Sequence, residues 1–145
     1  MFMDIAREAA TDLVEAALAH GEETDYSFSV AVVDAAGFLV SFQRATGGRT
    51  PNIELAIKKA RTAARWERPT RMLTDAVQPG AAGYGIQHSN SDVVVLQGGL
   101  PILDDSGEVI GAISADGGPT DVDEEICEQA LTELEYPTTF ESPLE

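Results

Sequence analysis

Twice along this chain a β-rich run stops at an aspartate, turns at a glycine three residues later, and resumes. Tyr26–Val33 (YSFSVAVV) leads through Asp34-Ala35-Ala36-Gly37 into Phe38–Arg44 (FLVSFQR). Leu100–Leu103 leads through Asp104-Asp105-Ser106-Gly107 into Glu108–Ala115 (EVIGAISA). Runs joined by such short turns can only pair antiparallel, so a sheet of hairpins is imposed early and helices are needed to cover it. A further β-branched run, Asp92–Gln97 (DVVVLQ), reads as a fifth strand, with Gly98-Gly99 as a break. Pro101 confines its own strand to an edge or a bulge.

The cover comes from three helical stretches. Met3–His20 carries apolar residues near helical period and stops at Gly21. Thr50-Pro51 starts a second helix that places Ile53, Ala56, Ile57, Ala60, Ala63 and Ala64 on one face and ends at Pro69. Residues 121–135 form the last, with Thr120 and Asp123 as a capping-box variant. A short helical turn near Met72-Leu73 and the flexible PGAAGYGIQHSNSD lie between. The expectation is an α+β fold with a five-stranded antiparallel sheet flanked by helices. One domain covers 1–135, with a loosely held tail over 136–145.

Charge excludes several partners. Nine Lys plus Arg against 25 Asp plus Glu give −16, a field that repels nucleic acid and anionic membrane. Lysine is scarce, and the acidity reads as hydration in strong salt, a halophile adaptation, rather than as a binding signal. The distribution is uneven: residues 44–71 hold eight of the nine cations, and residues 72–145 hold fifteen acids and no Lys or Arg. The basic segment can pair with acidic neighbours, line a site for an anionic ligand, or form a solvated helix face. One cysteine excludes an internal disulfide framework, and no apolar run reaches membrane length. The N-terminus carries four acids by Glu15 and no signal-like apolar stretch, so the expectation is a cytoplasmic protein.

The combination AVVDAAGFLVSFQR, ELAIKKARTAA and VLQGGLPILDDSGEVIGAISADGG, followed by an acidic helix, resembles the GlcG/HbpS family over about Ala6 to Leu134. The resemblance implies a profilin-like α/β/α arrangement, homo-oligomeric assembly, and haem or corrinoid binding in some members. Asp34 and Gly37 match the family's hairpin, Arg44 its arginine after the second strand, and Lys59-Ala60 with Thr62-Ala63 its central helix. Gly98, Gly99 and Pro101 match GG-x-P, and Gly107 and Gly111 match the last hairpin. Most of these matches are architectural, but packing alone does not ask for a cation at Arg44 or Lys59. Ser114-Ala115-Asp116-Gly117-Gly118 departs from the family's usual G-V-S-G-G and sets an acid beside a helix start, which disfavours an oxyanion there.

The ligand-binding candidates are therefore Arg44, Lys59, Arg61 and His88, with the backbone of Gly98, Gly99 and Pro101. Haem iron takes His, Met, Cys or Tyr, and His88, in the glycine-punctuated loop, is the candidate metal ligand. His20 reads as a helix-end cation, Cys127 as a small buried filler and Trp66 as a packing residue. There is no nucleophile elbow, P-loop or dinucleotide fingerprint, so no catalytic residue is assigned. Three functions stand: a binding protein for haem or another tetrapyrrole, an enzyme or accessory factor acting on a small metabolite or corrinoid, and a non-catalytic oligomeric scaffold.

Overall fold

The structure, a computed structural model, describes residues 4–90 and 92–140. Its strands are β1 (Ser29–Asp34), β2 (Leu39–Arg44), β3 (Gly99–Leu103) and β4 (Val109–Asp116), in the order β2-β1-β4-β3 and antiparallel throughout. Both hairpins close by one device. The Asp34 carboxylate accepts the amides of Ala36 (3.0 Å) and Phe38 (2.9 Å), while Asp104 accepts those of Ser106 and Glu108, both at 2.9 Å. The Ser106 hydroxyl and these amides hold the Asp104 carboxyl below its ordinary value.

The helices are α1 (Arg7–Glu22), α2 (Thr50–Trp66), α3 (Thr70–Ala76), the single turn α4 (Ile86–Ser89) and α5 (Thr120–Glu133). Strand alternation splits them into two layers. Val30, Val32, Leu100, Ile102, Ile113 and Ala115 face Leu13 and Val14 of α1 and Ile126 and Leu131 of α5. The other face, Ala31, Val33 and Ala112, meets Ala56, Ala60, Ala63 and Ala64 of α2, all buried. An all-alanine face brings a helix backbone close to its sheet, so α2 serves as a platform whose longer side chains project past the contact. Cys127 is fully buried on α5, as expected of a filler, and burial pushes its thiol far up.

The sequence expectations need three corrections. The capping box of Thr120 and Asp123 does not form: Pro119 is the residue before α5, no side chain caps the helix, and Asp123 accepts the Gly118 amide instead. Helix α1 starts at Arg7, not Met3, because the chain before it is extended and the Ile5 amide donates to Ile110 O at 2.9 Å; residues 1–3 lie outside the described residues. Among the described residues the sheet has four strands, not five, since residues 93–95 join no ladder. Side chains satisfy this segment instead. The Val94 amide donates to Thr62 Oγ1 at 3.1 Å, Val95 O accepts from Thr74 Oγ1, and Gln97 O accepts from Lys59 Nζ at 3.2 Å. Pro101 lies on the edge strand β3, where its missing amide costs no ladder bond. Beyond α5, Tyr136 and Phe140 pack partly buried against the larger core, and 141–145 lie outside the described residues. No helix among the described residues is long and apolar enough to cross a membrane.

Candidate functional site

Three of the candidates, Lys59, Gly98 and Gly99, come together, and they form a sealed unit. Lys59 is fully buried, and its ammonium lies 2.9 Å from Asp116 Oδ1 and 3.2 Å from Asp123 Oδ2. The two glycines make room for it. A Cβ on Gly98 would lie 2.5 Å from Lys59 Nζ, and one on Gly99 would lie 2.6 Å from Lys59 O. The acid at position 116 and the acids opening α5 therefore do gather a cation, and it is the chain's own. Asp123 also accepts the Gly118 amide at 3.0 Å, and Glu124 extends the network to Arg71 at 2.7 Å and Gln97 at 3.1 Å. Burial pushes the Asp123 carboxyl up from 3.8 to about 6 against the pull of Lys59. Lys59 thus stands as an internal counter-ion and not, as the sequence suggested, as a surface group for a ligand.

Arg61 lies elsewhere, on the flank of α2. A cleft of roughly 490 Å³ opens there, lined by Arg61, Thr62, Arg65 and Trp66 on the helix and by Asn90, Asp92 and Val93 opposite. Arg61 donates its Nε–H to Gly37 O at 3.0 Å, and Arg65 donates its own to Ala36 O at 2.9 Å. The Arg65 guanidinium also sits 5.7 Å over the Phe38 ring. The only carboxylate among the described residues of the cleft wall, Asp92, stands 3.4 Å from Arg61 Nη1. Arg65 and Trp66 had no site role in the sequence reading. For Arg65 the missed signal is its position one helical turn after Arg61, which sets the two on one edge of α2; Trp66 lies further round the helix and carried no such signal.

The other candidates are dispersed. Arg44 is exposed at the far end of β2 from that turn, on a separate cleft of roughly 520 Å³ beside Tyr26 and Phe28. His88 is exposed on α4, two residues before Asn90. Pro101 is buried in the sheet opposite Ala112. His20 is less bland than its position suggests. Its Nε2 is buried without a hydrogen-bond partner, 3.5 Å from Glu133 Oε1, and its ring lines a cleft between α1 and α5 with Glu125, Glu128 and Gln129. Among the described residues no group of three or more His, Cys, Asp or Glu is placed to hold a metal ion.

Residues 5–132 match the family model described as "Haem degrading protein HbpS-like". The chain is 35% identical to an uncharacterized 15.0 kDa protein from the dhaT-dhaS intergenic region of Citrobacter freundii, over 88% of this chain and 89% of that one. It is 33% identical to the corrinoid adenosyltransferase PduO of the same organism over 94% of this chain, but spans only 41% of that enzyme. Among solved structures, a PduOC:haem complex superposes with a TM-score of 0.87 at 31% identity, covering 94% of this chain and 99% of that one. A crystal structure of HbpS superposes with a TM-score of 0.83 at 29% identity, covering 92% of each chain. With nearly its whole length matched by the family model and by these structures, the chain belongs to the GlcG/HbpS family.

Proposed function

We propose that this protein binds haem or another anionic tetrapyrrole in the cleft between α2 and Asn90, Asp92 and Val93. The observation that carries the reading is the lining: in a chain of net charge −16, this cleft gathers two guanidiniums beside an indole. Cations suit the propionates, the indole suits the flat macrocycle, and the volume lies in the usual range for small-molecule sites, about 300–1,000 Å³. The similar PduOC chain in complex with haem supports the same ligand class. Among the described residues the cleft wall offers no His, Met, Cys or Tyr, so the residues present fit the periphery of haem, and the iron needs a ligand from outside the wall. We assign that role to His88, on the short helix leading into Asn90. Bound haem would supply a redox-active iron; the chain's own contribution is to hold and orient the acid groups.

A second placement is favoured by one observation, the His20 Nε2 buried without a hydrogen bond at the α1/α5 cleft, 3.5 Å from Glu133 Oε1. That cleft supplies an imidazole, but its glutamates oppose propionates. Titration of the purified protein in high salt with haemin separates the two. We expect a saturable Soret shift that His88→Ala displaces and weakens and His20→Ala leaves unchanged. The reverse pattern moves the ligand to α1, and no shift in folded protein removes haem altogether.

The PduO relatives favour a corrinoid or metabolite as the alternative ligand, with turnover lost in His88→Ala as its mark. A scaffold that binds nothing would instead lose assembly on charge reversal at Arg61 and Arg65. The rest of the reading is a cytoplasmic, profilin-like single domain over 1–135, with 136–145 as its tail, that assembles as a homo-oligomer.

A further inference from the structure

We infer that Arg61 and Arg65 form a preset carboxylate clamp, built by the β1–β2 turn, that recognises the acid groups of a flat ligand and needs no iron to do so. The inference rests on the tetrapyrrole reading above and specifies which chemistry of the ligand is recognised. The two arginines stand one helical turn apart, and each donates its Nε–H to one of two consecutive turn carbonyls, Gly37 O at 3.0 Å and Ala36 O at 2.9 Å. A guanidinium has five N–H donors in one plane, so anchoring Nε fixes the fork and leaves the Nη edge for an acceptor. Arg65 makes no other hydrogen bond among the described residues, and the Arg61 Nη1 contact to Asp92 is long at 3.4 Å.

The turn is shaped for this contact. Gly37 has φ +93, and a Cβ there would lie 2.7 Å from Arg61 Cγ and 2.9 Å from Arg65 Nε. The glycine that closes the hairpin is thus also the seat of both side chains. Trp66, whose ring has the Arg68 guanidinium 6.0 Å from its centroid, lines the same cleft and is the flat group there for the body of the ligand to meet. Acid groups on the forks and a ring on the indole describe a planar carboxylate, of which protoporphyrin, with or without iron, is one.

Trp66 is the only tryptophan of the chain, so its emission reports tetrapyrrole binding, and the Arg65 variants assign that binding to this cleft. Quenching is followed with haemin, metal-free protoporphyrin IX and protoporphyrin IX dimethyl ester. We expect the free acid to bind, more weakly than haemin by what the iron contact of His88 adds, and the ester at least about tenfold more weakly than the free acid. Arg65→Gln should weaken the acid about tenfold without changing the ester. Arg65→Lys, which keeps the charge but cannot present the fork, should weaken it nearly as much. Equal binding of acid and ester, or full binding by Arg65→Lys, overturns the clamp while tetrapyrrole binding stands. Failure of all three ligands, haemin included, to quench the folded protein overturns both.

Discussion

Lys59 and the pair Arg61 and Arg65 are neighbours on one helix, and the fold treats their charges in opposite ways. Lys59 points between α2 and the start of α5, where it is fully buried and neutralised by two carboxylates. The arginines leave the flank of the same helix and meet backbone carbonyls, which orient a guanidinium without cancelling its charge, and among the described residues only Arg61 has a carboxylate near it, Asp92 at 3.4 Å. The first arrangement consumes a cation to hold α2, β4 and α5 together; the second keeps two cations available. Position on the helix decides which occurs, because the alanine face that seats α2 on the sheet turns position 59 inward and positions 61 and 65 to the side.

The contrast breaks most visibly at the buried end. Lys59→Met leaves two carboxylates without their counter-ion and should cost about 3–5 kcal/mol in chemical denaturation. Adding Asp116→Asn and Asp123→Asn should recover much of that loss. Asp123 itself ties stability to pH. Its native value of about 6 lies above its ordinary 3.8, so the folded state holds the proton more tightly. The stability this provides is complete below the ordinary value and is lost as pH rises through 6, a change on the order of 3 kcal/mol. Denaturation profiles should show that slope, and Asp123→Asn should flatten it. Gly98→Ala, at φ +142 and against the Lys59 ammonium, should cost about 1–3 kcal/mol by the same assay. At the open end, Arg65→Gln should change stability by no more than about 0.5 kcal/mol while weakening ligand binding. A fall in stability as large as that of Lys59→Met would show that the two cations are not in opposite roles after all.

The hairpins were legible because their signals are local. Asp34 with Gly37 and Asp104 with Gly107 carry the whole turn device within five residues, and the structure repeats it at both. The error at Asp92–Gln97 has the opposite origin. Its β-branched composition is that of a strand, but Thr62, Thr74 and Lys59 take its backbone bonds from distant parts of the chain. Lys59 was visible as a cation that packing does not require, and Asp116 as an acid in an unusual place. Their pairing was not visible, since 57 positions separate them and only the fold brings them to 2.9 Å. The cleft was half legible: Arg61 stood out by charge, whereas Arg65 and Trp66 needed the turn carbonyls and the opposing wall.

The sheet order β2-β1-β4-β3 also sets the route by which the protein folds. Both outer pairings are hairpins between adjacent runs, and only β1 with β4 joins positions far apart in the chain, from Ser29 with Asp116 to Asp34 with Gly111. Hairpins close on the microsecond scale, whereas a distant pairing must first bear the entropy of its loop. The central seam, closed over by α2, is thus where the folding barrier concentrates. Val32→Ala at the seam should slow folding, while Leu103→Ala on the outer hairpin should mainly quicken unfolding, a difference readable from the two arms of a chevron plot.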